Sequence, residues 1–283
     1  MKTLKYTLGI TFFVLVIVAI VSFSFQNKSS EGDKSKEYSI AKTWELPPIL
    51  DEVSGITWLK DGTIASVQDE DGVIFIYNLT KKEIIEKIEF ASSGDYEGIA
   101  IHNDDAYVLR SDGTIFEVLN FRKEDKRTTS FKTGFSVKNN METLAIDLNT
   151  KSLIIAPKDK DNSNEFKGIY HIPLSSKKIN SVPRLKINMK DVALNAYLNK
   201  KLNKTFRPSD IAIHPKTGAY YVLDAKDPKL IILNSNGSIK KVYELEKQQF
   251  PQPEGITFSA DGTLYISSEA GGSDATIMQV NLM

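Results

Sequence analysis

Five short segments of the chain share one order of polar and apolar positions. Each has a small or acidic residue, then usually a small residue, then alternating apolar positions. These segments are Ser54–Trp58, Glu97–Ile101, Glu142–Ile146, Ser209–Ile213 and Glu254–Phe258. Their first residues lie 43, 45, 67 and 45 positions apart. A period in the low forties, with several strands in each unit, is typical of a β-propeller.

Tight turns separate the β-rich runs between these segments. The turn dipeptides are Asp61-Gly62, Asp71-Gly72, Asp112-Gly113, Asn236-Gly237 and Asp261-Gly262. Such pairs favour two-residue hairpin turns, because both residues adopt a positive φ at little cost. The fourth unit is the clearest, and its pattern predicts four strands: Ser209–Ile213, Ala219–Asp224, Lys229–Leu233 and Ser238–Leu245.

The last repeat lacks one strand, since the chain stops after the run Ala275–Asn281. The segment Tyr38–Leu46 has strand composition and precedes the first repeat, so we predict that it supplies the missing outer strand. That pairing closes a ring of five blades and leaves no open sheet edge. The 67-residue spacing indicates an insertion, Asn188–Phe206, whose apolar residues have roughly helical spacing and predict a short helix covering one face.

The N-terminus carries a long apolar run. Tyr6–Asn27 contains no charged residue, and its 22 positions span about 33 Å as a helix, which matches a bilayer core. Lys2 and Lys5 precede the run, so the short tail is expected in the cytoplasm and the rest outside. A cleaved signal peptide is the alternative, although only Ser22–Ser24 offers a weak cleavage signal.

The predicted fold class is therefore an all-β, five-bladed β-propeller preceded by one N-terminal transmembrane helix. We expect a signal anchor in residues 1–27, a disordered polar linker in 28–37 and the propeller in 38–283. The predicted location is the cell membrane, with a single pass and the propeller on the extracytoplasmic side.

Charge and composition narrow the function. The chain has 36 basic and 36 acidic residues, and this zero net charge argues against a nucleic-acid partner. The absence of cysteine excludes disulfides, thiolate metal sites, cysteine nucleophiles and a lipoprotein anchor. We expect a monomer.

The innermost strands of a propeller begin at one face, here called the top face. Their first residues therefore form a ring: Ser54, Glu97, Glu142, Ser209 and Glu254. Three converging carboxylates repel one another and are costly to bury. A hard divalent cation would resolve this cost, and all-oxygen ligation favours calcium. The alternative, equally compatible with the residues, is that each glutamate binds backbone N–H groups of the neighbouring blade.

The same geometry predicts where other charged residues and the histidines lie. The second strands return to the top face near Asp69, Arg110, Lys158, Asp224 and Glu269. These five form either a charged rim around the ring or solvated loop charges. His102 and His214 follow inner strands and are expected at the opposite face, while His171 lies in a third strand. A Ser-His-Asp triad at the ring is not expected.

The order Ser, Glu, Glu, Ser, Glu, together with the segment Gln252–Glu269, resembles the SdiA-regulated (YjiK-like) family over about residues 38–283. The resemblance implies a five-bladed propeller, distantly NHL-repeat-like, with calcium near Glu97, Glu142 and Glu254. Asp210 departs from the repeat, because three other repeats have glycine there, and its role is left open.

Two functions fit this pattern. The first is an extracytoplasmic calcium-binding module for binding or signalling, with an unknown protein or small-molecule ligand at the top face. The second is a metal-dependent hydrolase, similar to lactonases or esterases, whose axial ion polarises a carbonyl and activates water. No catalytic residue is assigned, and the absence of a positioned base favours the first.

Overall fold

The computed structural model describes residues 37–283, and Tyr38–Met283 form one compact unit. The predicted transmembrane helix in residues 1–27 lies outside the described residues, as does the linker apart from Glu37. Within residues 37–283, no helix has the length and apolar character needed to cross a bilayer.

The described chain forms five antiparallel sheets of four strands each, and each sheet is one blade. Blade one contains β2 (Val53–Trp58), β3 (Thr63–Gln68), β4 (Val73–Asn78) and β5 (Glu83–Glu89). Blade two contains β6 (Tyr96–His102), β7 (Asp105–Arg110), β8 (Thr114–Leu119) and β9 (Arg127–Lys132). Blade three contains β10 (Ala145–Asp147), β11 (Ser152–Ile155), β12 (Phe166–Pro173) and β13 (Leu185–Asn188).

The last two blades follow the same plan, except that the outer strand of blade five comes from the start of the described chain. Blade four contains β14 (Pro208–Ile213), β15 (Tyr220–Asp224), β16 (Lys229–Leu233) and β17 (Ile239–Glu244). These bounds confirm the four strands predicted for this unit to within one or two residues. Blade five contains β18 (Pro253–Phe258), β19 (Leu264–Ser268), β20 (Thr276–Leu282) and β1 (Tyr38–Glu45).

The strand β1 closes the ring. It pairs antiparallel with β20 from Tyr38 opposite Leu282 to Glu45 opposite Thr276, with a bulge between Ile40 and Lys42. The predicted closure by Tyr38–Leu46 is therefore confirmed, and the fold is a five-bladed β-propeller. The indole of Trp44 also donates a 2.7 Å hydrogen bond to the carbonyl of Leu79 in blade one.

The core lies between neighbouring blades rather than at a single centre. Five apolar clusters of buried residues fill the five interfaces between adjacent blades. The middle strand β4 is buried along most of its length, because both faces of its sheet are covered. The outer strand β5 instead alternates exposed and partly buried residues, because it is partly exposed to solvent.

The insertion before blade four folds as two 3₁₀ helices, Val192–Tyr197 and Leu202–Lys204, and a third such helix spans Pro48–Leu50. The predicted short helix is therefore present, with tighter winding than an α-helix. Asp191 caps the first of them by accepting a 3.0 Å hydrogen bond from the N–H of Ala193. Leu194 is fully buried and anchors the insertion in the core between blades three and four.

The inner strand of blade three is shorter than its repeat predicts. The pattern indicates a strand from Glu142 to Ile146, whereas β10 begins only at Ala145. Before it, Met141 makes an isolated bridge with Pro157. Proline has no N–H for a regular ladder, so the pairing there is reduced to a bridge. Glu142 consequently stands on an irregular segment, while Glu97 and Glu254 stand on strands.

Candidate functional site

Three glutamates from three blades meet where the inner strands begin. Glu97, Glu142 and Glu254 are buried, and one carboxylate oxygen from each lies within 4.8 Å of the others. We call this group the carboxylate cluster. The sequence prediction that these residues converge is confirmed.

The small residue at the second position of the repeat permits this convergence. A Cβ atom at Gly55 would lie 2.7 Å from the Cα of Gly98, and one at Gly98 would lie 2.7 Å from the Cβ of Leu144. Such distances are too short for real side chains. Glycine therefore brings the inner strands close enough for their first side chains to meet.

Burial sets the electrostatics of the cluster. Burial, with the charges of Glu142 and Glu254, raises the pKa of Glu97 to about 11. Burial also raises the pKa of Glu142, against the opposing charge of Lys158. Without a bound cation, the carboxyl group of Glu97 therefore holds its proton far above its usual range, whereas that of Glu142 is paired with the ammonium of Lys158. A cation that bound Glu97 would release its proton.

Lys158 lies inside the cluster, although the sequence places it only near a rim. Its ammonium forms an ion pair with Oε2 of Glu142 and lies 3.6 Å from Oε1 of Glu254. Burial by itself lowers the pKa of Lys158, but the two carboxylates outweigh it and hold that pKa above its ordinary value. The Lys158 ammonium is thus the internal counter-ion of the cluster.

Two further predicted rim residues surround the cluster. Glu269 lies beside Glu254 and accepts a hydrogen bond from Nε2 of Gln252. Burial and the charge of Glu254 raise the pKa of Glu269 to about 9. Burial, followed by the charges of Glu52 and other acidic neighbours, raises the pKa of Asp69 to about 6.

The other two predicted rim residues have structural partners instead. Arg110 pairs with Asp112 of the following hairpin at 2.9 Å. Asp224 pairs with Lys229 at 2.9 Å, and both side chains are almost fully buried. The prediction that these five positions form one rim is therefore wrong for Arg110 and Asp224. Each of them is paired with an oppositely charged residue that lies closer than the carboxylate cluster.

The two serines of the predicted ring turn toward backbone. The hydroxyl of Ser209 donates a 2.9 Å hydrogen bond to the carbonyl of Pro253. The hydroxyl of Ser54 donates a 3.4 Å bond to the carbonyl of Glu52. The chemistry of the ring is therefore that of its three glutamates.

Asp210 joins blade four to blade five. It is fully buried, and its Oδ2 accepts a 2.8 Å hydrogen bond from the N–H of Ile256 in blade five. Its Oδ1 is buried without a hydrogen-bond partner among the described residues. Burial raises the pKa of Asp210 well above its usual range, although three backbone amides oppose that shift. The sequence signal was an aspartate at a position where other repeats have glycine.

Sequence reasoning missed two cations that fix the loop carrying Lys158. Nζ of the buried Lys167 donates to the carbonyl of Lys158 at 2.7 Å and to the carbonyl of Asp159. Arg207, directly after the insertion, donates to Oδ1 of Asp159 at 2.7 Å. A lysine inside the apolar strand β12 was the available signal for Lys167. Nothing in the local pattern marked Arg207.

The opposite ends of the inner strands line a cavity of about 650 Å³ with both apolar and polar residues. The fifth residue of every repeat contributes to its wall: Trp58, Ile101, Ile146, Ile213 and Phe258. His214 also lines it, with its ring centroid 4.9 Å from that of Phe258. His102 ends β6, the strand that carries Glu97 near its start, and His171 lies in β12. The predicted separation of the histidines from the ring is confirmed.

A family model described as SdiA-regulated matches residues 31–271. The chain belongs to the SdiA-regulated family. The resemblance noted in the sequence is thus confirmed over most of the propeller. A comparison with curated protein sequences gives no significant match.

Solved structures similar to this SdiA-regulated propeller include several enzymes. Glutaminyl cyclase from Myxococcus xanthus has a TM-score of 0.58 and 11% identity, over 87% of this chain and 96% of that one. A PQQ-bound aldose sugar dehydrogenase from Streptomyces coelicolor has a TM-score of 0.53 and 12% identity, over 87% and 98%. A streptogramin B lyase has a TM-score of 0.51 and 12% identity, over 87% and 98%. At these identities the likeness shows the fold alone.

Proposed function

We propose that the protein is a calcium-binding propeller that acts as a binding or signalling module outside the cell membrane. The observation that carries this proposal is the 4.8 Å separation among the carboxylate oxygens of Glu97, Glu142 and Glu254. Oxygens that share one calcium at 2.3–2.6 Å can lie no more than about 5 Å apart. The cluster therefore has dimensions suited to calcium, and its all-oxygen composition suits a hard cation.

The hydrogen bonds around the cluster support a cation site over a scaffold role. Within residues 37–283, no backbone N–H donates to the side chains of the three glutamates. The side-chain amide of Asn140 donates to Oε1 of Glu142 at 2.7 Å. Oε2 of Glu142 is buried, and its partner in that range is the ammonium of Lys158. The groups that satisfy this carboxylate thus include a cation, and no backbone N–H competes for it.

Among the described residues, the positions of the other reactive groups favour binding over hydrolysis. The three imidazoles lie away from the cluster, and the hydroxyls of Ser54 and Ser209 bond to backbone carbonyls. A lactonase or esterase needs a nucleophile and a base within hydrogen-bond reach of the reacting carbon. We therefore favour a protein or small-molecule ligand at the top face over a hydrolysed substrate.

Display outside the membrane is the second part of the proposal, and the apolar run Tyr6–Asn27 after Lys2 and Lys5 supports it. Protease added to intact spheroplasts should remove the propeller or cut its linker. Complete protection of the propeller, with a cytosolic marker also intact, would contradict this topology.

Calcium titration of the full-length protein tests the first part. At a hundred times the dissociation constant, calcium should stabilise the folded state by about 2.7 kcal/mol, because the unfolded chain has no assembled site. The measurement is melting with calcium and with chelator, together with calorimetric titration. Glu142→Gln should remove most of the calcium effect, since it keeps the shape of the side chain and removes one ligand charge.

The matched control is Glu117→Gln. Glu117 is also buried and paired with a lysine, Lys177, but it lies in β8, away from the axis. This variant should keep the full response to calcium. If the parent protein melts identically with calcium and chelator, the proposed function is wrong.

A further inference from the structure

The ammonium of Lys158 occupies space that a cation bound to the cluster would need. It contacts Glu142 and lies 3.6 Å from Glu254, so it stands between two of the three carboxylates. The side chains of all three residues are largely buried, with 12% of Lys158 exposed. In such a site, a divalent ion and an ammonium a few ångströms apart repel strongly, since little water screens them.

The backbone that carries Lys158 is held in place from several sides. Its N–H donates a 3.0 Å hydrogen bond to the carbonyl of Asn140, and the next N–H donates to Asn139 at 2.9 Å. Its carbonyl accepts from Lys167, and Arg207 binds the adjacent Asp159. The loop therefore aims Lys158 into the cluster.

Only the side chain is free to leave. A lysine carries a compact charge on a flexible four-carbon stem, so its ammonium can swing away without movement of the backbone. Because 12% of the Lys158 side chain is exposed, the residue is not sealed from solvent. We expect the displaced ammonium to leave on that side.

We propose that Lys158 is a built-in competitor for the axial cation, which occupies the cluster in the ion-free protein and is expelled when a divalent ion binds. This inference rests on the proposed calcium function. It means that Lys158 stabilises the ion-free propeller and lowers its calcium affinity. Each binding event then exchanges an internal ammonium for an external ion.

The test is Lys158→Met in the full-length protein, because methionine has similar length and no charge. Calorimetric titration should show calcium binding at least tenfold tighter than in the parent. In chelator the variant should melt below the parent, since its carboxylates have lost their counter-ion. The rise in melting temperature on adding calcium should be larger than the parent's.

Lys177→Met is the matched control, because Lys177 also pairs with a buried glutamate, Glu117, but outside the cluster. It should leave calcium affinity unchanged. Lys158→Gln provides a second variant with a polar end, should the methionine variant fail to fold.

The outcomes separate the two proposals. Tighter binding by the Lys158 variants than by a parent that also binds calcium supports the inference. If only the variants bind, the ammonium is never expelled in the parent, and both proposals are overturned. If the parent binds calcium and the variants bind equally or more weakly, the competitor role is wrong and the calcium function stands. If neither parent nor variants bind calcium, both proposals are overturned.

Discussion

The two ends of the five inner strands have opposite chemistry. At the top face, Glu97, Glu142 and Glu254 converge around the ammonium of Lys158. At the other end, the fifth residue of every repeat is large and apolar, and together these residues wall a cavity of about 650 Å³. The strands themselves differ little between their ends, so the contrast comes from which side chains they carry.

The difference shows where repetition reflects packing. Each apolar end meets the same surroundings, namely two neighbouring blades, and therefore keeps the same residue type in all five repeats. The top ends converge on one point, where five identical charges would repel. The sequence varies there: two serines turn to backbone, three glutamates meet, and one lysine enters from the loop after a second strand.

The largest expected effect comes from deleting β1, because ring closure holds both ends of the inner strands in place. A chain that starts at Asp51 lacks β1, which bares the edge of β20 and removes Trp44 and Leu46 from the core between blades one and five. We expect loss of cooperative melting. The control is a chain that starts at Glu37 and keeps β1. Equal melting temperatures for the two chains would show that ring closure is not needed.

A smaller effect is expected from Leu264→Ala, at the apolar end. Leu264 pairs with Phe258 and is buried in the core between blades four and five, and truncation of such a residue costs about 2–5 kcal/mol. The loss should be the same in calcium and in chelator, because the cation lies at the other end. Denaturant unfolding under both conditions measures it. A loss that depends on calcium would show that the two ends are coupled.

The smallest expected effect is a change in folding stability with pH, caused by the titration of Lys167. Burial lowers the pKa of Lys167 to about 8, although Asp159 and Asp161 oppose that shift. Below pH 8 Lys167 is protonated in both the folded and the unfolded state, so the folded state carries the full free-energy cost of burying its charge. Between pH 8 and the unfolded pKa of about 10.4, only the unfolded state holds it, so stability rises with pH.

Lys167→Met provides the reference for this change, because it lacks the titrating group. Between pH 7 and 9.5 the parent should gain up to about 2 kcal/mol relative to the variant. Denaturant unfolding of both proteins at the two pH values measures the difference. If the difference in unfolding free energy between the two proteins is the same at both pH values, burial does not lower the pKa of Lys167 as proposed.

The repeat pattern predicted the blades because each inner strand meets the same apolar environment. It also predicted that Glu97, Glu142 and Glu254 meet, since equivalent positions in a ring lie at equal distance from its axis. The closing strand β1 was predictable from the missing strand of the last repeat. These features depend on periodicity, which a single sequence displays.

Other features required the tertiary structure. The partner of each rim charge was not predictable: Lys158 enters the cluster, whereas Arg110 and Asp224 are taken up by Asp112 and Lys229. Long side chains reach several ångströms, so position in the repeat does not decide which oppositely charged group they contact.

The sequence by itself thus determined the fold, the ring of inner strands and the identity of its converging carboxylates, because packing repeats every blade. Only the tertiary structure decided that a lysine occupies the carboxylate cluster and that Asp210 bonds across to blade five. The contacts of Lys158 with Glu254 and of Asp210 with Ile256 join residues from different blades, at distances set by how closely the glycines let the strands approach.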